Sequence, residues 1–230
     1  MATPLRIFIG LLWLVIFSSA RAAGLEDISQ QDSSGALRQA LTQGASAAVA
    51  GLGRPDGFLG NPKVKIPLPE SLQKAEKLMR KLGMGKRADE LITTMNRAAE
   101  AAVPEAKELL VNSVKQMTLQ DAKGILTGGD DSATQYFKRT TSAPLTEKFL
   151  PIVKKATEKV KLAEKYNRYA RQAAKLGLLD EKDASLEDYV TQKALDGLFL
   201  MIAEEERAIR KNPLGQASSL LQKVFGALNK

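Results

Sequence analysis

The sequence contains no cysteine and no histidine among its 230 residues. Without them the chain cannot form a disulfide, a Cys/His zinc site, a Ser-His-Asp triad or a cysteine nucleophile. The chain also lacks a G-x-S-x-G elbow, an H-E-x-x-H motif, a Walker A loop and a dinucleotide fingerprint. Any catalysis would have to use carboxylates, lysine, tyrosine or serine. We therefore expect no enzyme, no cofactor and no bound metal.

Paired acids keep one catalytic hypothesis open. Asp130 and Asp131 follow a Gly-Gly pair at a helix boundary, and Glu205 lies in a run of three glutamates. Two carboxylates could perform glycoside hydrolysis, and loop acids could hold a hard cation. A carboxylate-dependent periplasmic hydrolase using these three residues is therefore the rival hypothesis. Capping of the next helix by Asp130 or Asp131 explains the aspartates without a ligand, and we favour capping.

The first 22 residues are typical of a secretory signal peptide. A short basic start precedes eleven apolar residues from Ile7 to Phe17, and small residues follow as far as Ala22 in an A-x-A arrangement. Eleven apolar residues are too few to span a bilayer, which needs roughly 20. We expect cleavage near Ala22 and a periplasmic location. A flexible N-terminus over 23–34 and a single helical domain over 35–230 would remain.

Hydrophobic periodicity predicts an all-α domain of about eight to ten helices, because apolar residues recur at helical spacing along most of the chain. Thr118 and Ser185 each precede an aspartate by three residues, which is the spacing of a capping-box variant. The run Asp188–Arg210 includes a stretch that is apolar on nearly all sides. We expect this run to form the central, most buried helix.

The segment 53–69 departs from the helical pattern. Its prolines and glycines disfavour a helix and favour extended backbone. Val64, Ile66 and Leu68 alternate with polar or proline positions. This alternation predicts an extended strap with one apolar edge packed on helices. The strap could form the lip of a groove, or it could be only an ordered connector.

Positive charge is concentrated in one segment. The chain has a formal net charge of +8, and Lys138 to Lys175 holds eleven basic and three acidic residues, which is also a net +8. Helical spacing places its lysines opposite its apolar side, as in an amphipathic helix with a basic back. The candidate contact residues are Lys138, Arg139, Lys154, Lys161, Lys165 and Arg168. Their partner would be anionic lipid, lipopolysaccharide or an envelope protein, although a solvated helix face looks the same. Export argues against nucleic acid.

Two prolines are expected to divide this basic segment. Pro144 should begin the long basic helix and separate it from a short helix that contains Tyr136 and Phe137. Pro151 should kink the long helix or start it anew, because proline lacks the N–H that an interior turn needs.

Several motifs are distinctive as a set. They include Asp56-Gly-Phe-Leu-Gly-Asn-Pro, Met95-Asn-Arg-Ala-Ala-Glu100, Asp121-Ala-Lys-Gly-Ile-Leu-Thr-Gly128 and Asp196-Gly-Leu-Phe199. Together they resemble one bacterial family, catalogued as domain of unknown function 4197. The resemblance extends from about Leu37 to Phe225. It implies an exported, all-helical protein of Gram-negative bacteria, and it assigns no activity, cofactor or catalytic residue. The sequence thus favours a non-enzymatic envelope protein that binds an anionic or lipid-like partner. The hydrolase and a purely structural module remain the alternatives.

Overall fold

The computed structural model of the chain describes residues 30–83, 85–158, 163–164, 166–168 and 185–211. Within these residues it has seven α-helices with described ends, one 3₁₀ turn and no β-strand, and residues 163–164 and 166–168 are helical as well. In chain order they are α1 Gln30–Leu52, α2 Glu70–Lys81, α3 Gly85–Ala102, the 3₁₀ turn Val103–Glu105, α4 Ala106–Gln116, α5 Leu119–Thr127, α6 Ser132–Thr157 and α7 Leu186–Lys211. The all-α prediction is confirmed, but the described helices are fewer than the eight to ten expected. The predicted signal peptide lies outside the described residues.

The first described helix begins earlier than its sequence suggests. Helix α1 starts at Gln30, so residues 30–34 are helical, although they belong to the stretch predicted to be flexible. None of the described helices combines the length and the apolar character that crossing a membrane requires.

Helix α7 is the central element, as its apolar run predicts. It packs on α1, α3 and α6. Helix α1 contacts α7 at Gly44, where an added methyl group would be in ordinary van der Waals contact, 3.6 Å from Glu205 Cβ and from Ile209 Cδ1. The buried residues of α7 include Leu186, Val190, Ala194, Leu198 and Ile202.

Helix α6 runs unbroken from Ser132 to Thr157, with Pro144 and Pro151 inside it. The prediction of two helices separated at Pro144 is therefore wrong, and the helix does not begin anew at Pro151. Each proline removes one donor from the helix, at a local cost in stability. Burial of the apolar face of α6 outweighs this cost, since packing supplies most of the stability of a protein helix. That face includes Phe137, Leu145, Phe149 and Val153, all 0% exposed.

The first turn of α6 is capped from another helix. Asp131 occupies the N-cap position, but its side chain makes no capping hydrogen bond, so the prediction that Asp130 or Asp131 caps this helix is wrong. Instead, the Glu206 carboxylate of α7 accepts hydrogen bonds from the N–H groups of Ala133 at 3.0 Å and Thr134 at 2.9 Å. The Thr134 hydroxyl donates to it as well, at 2.9 Å. A carboxylate here is also stabilised by the helix dipole.

Arg210 completes this buried cluster. Its guanidinium pairs with Glu206 at 2.8 Å and donates to the carbonyl of Ile125, near the end of α5, at 2.9 Å. The side chains of Glu206 and Arg210 are only 6% and 15% exposed. Charges this buried are tolerated only when they are paired and hydrogen-bonded. The pair therefore joins the start of α6, the last turn of α5 and the end of α7.

The predicted capping box at Thr118 is complete, and at Ser185 the hydroxyl caps the helix without the reciprocal backbone bond. The Thr118 hydroxyl accepts from the N–H of Asp121 at 3.1 Å, and the Asp121 carboxylate accepts from the N–H of Thr118 at 3.1 Å. Before α7, the Ser185 hydroxyl accepts from the N–H of Asp188 at 3.0 Å. Asp121 also pairs with Arg139 of α6 at 2.8 Å. Hydrogen bonds from Thr118, with Arg139 beside them, hold the pKa of the Asp121 carboxyl below its usual value.

We expect Glu206→Gln to lower the free energy of unfolding by about 2–4 kcal/mol. The variant leaves Arg210 without its buried counter-ion, and the glutamine side chain replaces one accepting oxygen by an NH₂ group that cannot accept a hydrogen bond. Glu205→Gln is the matched control. Glu205 is half-buried and makes no hydrogen bond or ion pair within the described structure, so its replacement should cost less than about 0.5 kcal/mol. Urea denaturation near neutral pH measures both variants. An equal loss of unfolding free energy in the two variants would contradict the conclusion that Glu206 caps α6.

We expect Asp121→Asn to destabilise the protein by about 1 kcal/mol near neutral pH, through loss of the capping box. A carboxyl whose pKa is depressed on folding contributes stability above its unfolded pKa of about 4, and loses it as the pH falls through the lower folded pKa. The difference between the variant and the wild type should therefore shrink as the pH falls below about 4. Urea denaturation at several acidic pH values measures this. If the difference in unfolding free energy between the variant and the wild type did not change with pH, the charge of Asp121 would contribute nothing to stability.

Candidate functional site

The strap over residues 53–69 connects α1 to α2. Val64, Ile66 and Leu68 are buried, whereas Lys63 and Lys65 are exposed. This alternation confirms the prediction of one apolar edge packed on helices. The prediction of an extended backbone is wrong for most of residues 53–64, which form bends and turns closed by their own hydrogen bonds.

One asparagine holds the middle of the strap. The Asn96 side chain of α3 is 0% exposed. Its oxygen accepts from the N–H of Ile66 at 2.8 Å, and its nitrogen donates to the carbonyl of Ile66 at 2.9 Å and to the carbonyl of Ile92 at 2.8 Å. Asn96 thus gives the strap the pair of backbone hydrogen bonds that a neighbouring β-strand would supply.

One helical turn further along α3, a glutamate holds the start of the strap. Glu100 accepts from the N–H groups of Phe58 and Leu59, each at 3.1 Å. Arg97 bridges Glu100 at 2.6 Å and Asp56 at 2.9 Å. Asp56 has a φ of 65°, in the left-handed region that non-glycine residues rarely adopt. The ion pairs and the Glu100 hydrogen bonds therefore fix a tight, strained turn.

Sequence reasoning missed both of these α3 residues, although a signal was present. Ile92, Asn96 and Glu100 follow one another at intervals of four, so the two polar residues continue an apolar stripe. Polar residues in such positions need partners. The same kind of signal marks Glu206, which lies four residues after the buried Ile202.

The strap and α7 enclose a groove of about 900 Å³. The Tyr189 hydroxyl of α7 donates to the carbonyl of Pro67 at 3.0 Å, and Lys63 pairs with Glu204 at 2.7 Å. Gly197 lets the strap come this close: a Cβ at Gly197 would lie 2.7 Å from Phe58 Cε1 and 3.3 Å from Val64 Cβ. The strap therefore forms one wall of a groove, with α7 on the other side, and is more than a connector.

The predicted basic contact residues are only partly within the described structure. Lys161 and Lys165 lie outside it, whereas Lys138, Arg139, Lys154 and Arg168 are exposed. Some have partners: Arg139 pairs with Asp121, Arg168 lies 3.4 Å from Glu164, and Lys138 Nζ is 6.0 Å from the centre of the Phe199 ring. Whether these residues bind anything stays a prediction.

A set of lysines on α6 lacks such partners. Lys148, Lys154 and Lys155 lie in the C-terminal half of α6 and are exposed. Among the residues the structure describes, no carboxylate pairs with any of them. We call these three lysines the basic face.

The acids of the rival hypothesis do not gather into a metal-binding group. Asp130 and Asp131 are exposed before α6, where Asp131 accepts from the Gln135 side chain at 2.9 Å. Glu205 is half-buried on α7, and its neighbour Glu206 is the acid that reaches the start of α6. Across the described ranges there is no cluster of three acidic residues that could hold a metal ion.

We expect Gly197→Ala to destabilise the protein by about 1–3 kcal/mol, because the added methyl group overlaps Phe58 and pushes the strap from α7. Gly124→Ala in α5 is the matched control, since a Cβ there meets nothing within 4 Å. That change should stabilise the protein by about 0.5–1 kcal/mol through helix propensity. Thermal or urea unfolding checks the opposite signs. A stabilising Gly197→Ala would contradict the close packing.

Comparison with known proteins gives one match. A family model described as "Protein of unknown function (DUF4197)" matches residues 27–226. No curated protein and no solved structure matches the chain. The family match covers most of the chain, including the strap, the α3 residues that hold it and the whole of α7. The chain therefore belongs to the DUF4197 family.

Proposed function

We propose that the protein is an exported, non-catalytic protein of the bacterial periplasm that binds an anionic lipid surface through the basic face. The observation that carries this proposal is the exposure of Lys148, Lys154 and Lys155 on one half of α6 without carboxylate partners in the described structure. The predicted signal peptide supports the location. The basic character of the whole Lys138–Lys175 segment supports an anionic partner.

The attraction is electrostatic. Each lysine near an anionic membrane contributes about 1 kcal/mol, and this contribution falls off within a Debye length. The opposite side of α6 is anchored in the core by Phe149 and Val153, both 0% exposed. The three lysines therefore project from a helix that is already fixed, and binding does not need to order the backbone first.

We expect replacement of Lys148, Lys154 and Lys155 by glutamine to weaken binding to anionic phospholipid vesicles on the order of 100-fold, since about 3 kcal/mol of attraction is lost. Co-sedimentation with vesicles containing about one-third anionic lipid, at low and at high salt, measures this. The matched control replaces the exposed Lys107, Lys115 and Lys123 of α4 and α5 by glutamine. It makes the same change in net charge at another place and should bind as the wild type does.

Three outcomes would overturn the proposal. The first is absence of binding to anionic vesicles. The second is binding that is equally strong to neutral vesicles or insensitive to salt. The third is an equal loss in the two triple variants, which would mean that total charge, and not the basic face, governs the interaction.

A further inference from the structure

The groove between the strap and α7 is a second surface, separate from the basic face. Its wall on α7 includes Leu200, which is 38% exposed although it belongs to the central helix. Val64 and Pro67 of the strap line the other side. The groove has a volume of about 900 Å³, and its lining mixes these apolar residues with lysines, acids and glutamines. This volume is of the size that holds a small organic ligand.

Lysines stand along the same groove. Lys65 is exposed and makes no ion pair within the described residues. Lys193 lies 3.8 Å from Asp196, a long contact, and its ammonium is 5.8 Å from the centre of the Tyr189 ring. The lining also includes the acids Glu70 and Asp196. Lys65 makes no direct ion pair, although its charge acts on the nearby Asp89 of α3, and Lys193 is held only loosely.

An extended peptide fits this groove poorly. Strand addition needs backbone donors and acceptors along the receiving edge. Pro67 and Pro69 have no N–H, and the carbonyl of Pro67 already accepts from Tyr189. A glycan fits poorly as well, because stacking needs exposed ring faces, and Tyr166 and Tyr189 are only 5% and 9% exposed. A flexible apolar chain needs neither backbone pairing nor a ring platform.

We infer that the groove binds a single-chain anionic amphiphile, such as a fatty acid or an alkyl phosphate. The chain lies along Leu200, Val64 and Pro67, and Lys65 and Lys193 meet the anionic head. This inference rests on the proposed function because both assign an anionic lipid as the partner. The groove and the basic face consist of different residues, so an experiment can reject either proposal without rejecting the other.

The probe is dodecanoate, kept below its micelle concentration and titrated into the purified protein by calorimetry. The neutral dodecanol is the comparison ligand. We expect saturable binding of dodecanoate and weaker binding of dodecanol, because only dodecanoate has a head that lysine can bind. Equal affinity for the two would overturn the assignment of the head to Lys65 and Lys193. Absence of saturable dodecanoate binding would overturn the whole inference.

Two pairs of variants locate the site. Leu200→Gln should weaken dodecanoate binding about tenfold or more, by removing the apolar contact of one leucine. Leu119→Gln, at a leucine that is 63% exposed on α5, should leave it unchanged. Lys65→Gln should weaken binding about fivefold, whereas Lys107→Gln should have no effect. Equal effects within either pair would overturn the placement in the groove. Circular dichroism verifies that each variant is folded.

The triple replacement of the basic face separates this inference from the proposed function. It should lose vesicle binding and keep the affinity for dodecanoate. Leu200→Gln should show the reverse. Loss of both activities in the triple variant would mean that one surface binds both ligands, and the groove would then not be an independent site.

Discussion

Backbone hydrogen bonding is the constraint on which the rest of this structure depends. The strap passes along a helical core, and its own turns satisfy only part of its backbone. Its other buried backbone N–H and C=O groups must find partners elsewhere. Asn96 and Glu100, one turn apart on α3, supply those partners for Ile66, Phe58 and Leu59. With the strap fixed on α3, its opposite side can form a wall against α7. The groove is thus a product of two polar side chains inside an otherwise apolar interface.

The same constraint explains why the buried acids are poor candidates for catalysis. Glu100 and Glu206 are each 6% exposed at the side chain, and both carboxylates are occupied by backbone N–H groups and an arginine. A general acid or base must exchange its proton with a substrate, and neither of these acids has a free side.

Local patterns in the sequence predict much of the fold, and long-range partners decide the rest. The capping box at Thr118, the cap at Ser185, the alternation in the strap and the central position of α7 all depend on residues within a few positions of one another. The cap of α6 does not: its carboxylate is 73 residues from Ala133. The continuity of α6 through Pro144 likewise depends on burial of its far side against other helices. From the sequence, the groove could be predicted only as one of two alternatives for the strap. The shape of the groove depends on Gly197 and on the position of α7 beside the strap, and both are distant from the strap in the sequence.

The distant cap also makes the start of α6 and the end of α5 depend on the far end of the described chain. The first turn of α6 obtains its hydrogen-bond acceptor from Glu206, and the last turn of α5 obtains a donor from Arg210. Both groups come from α7, which is the last of the described helices in chain order. A chain that stops before residue 206 therefore lacks the groups that join these three helices.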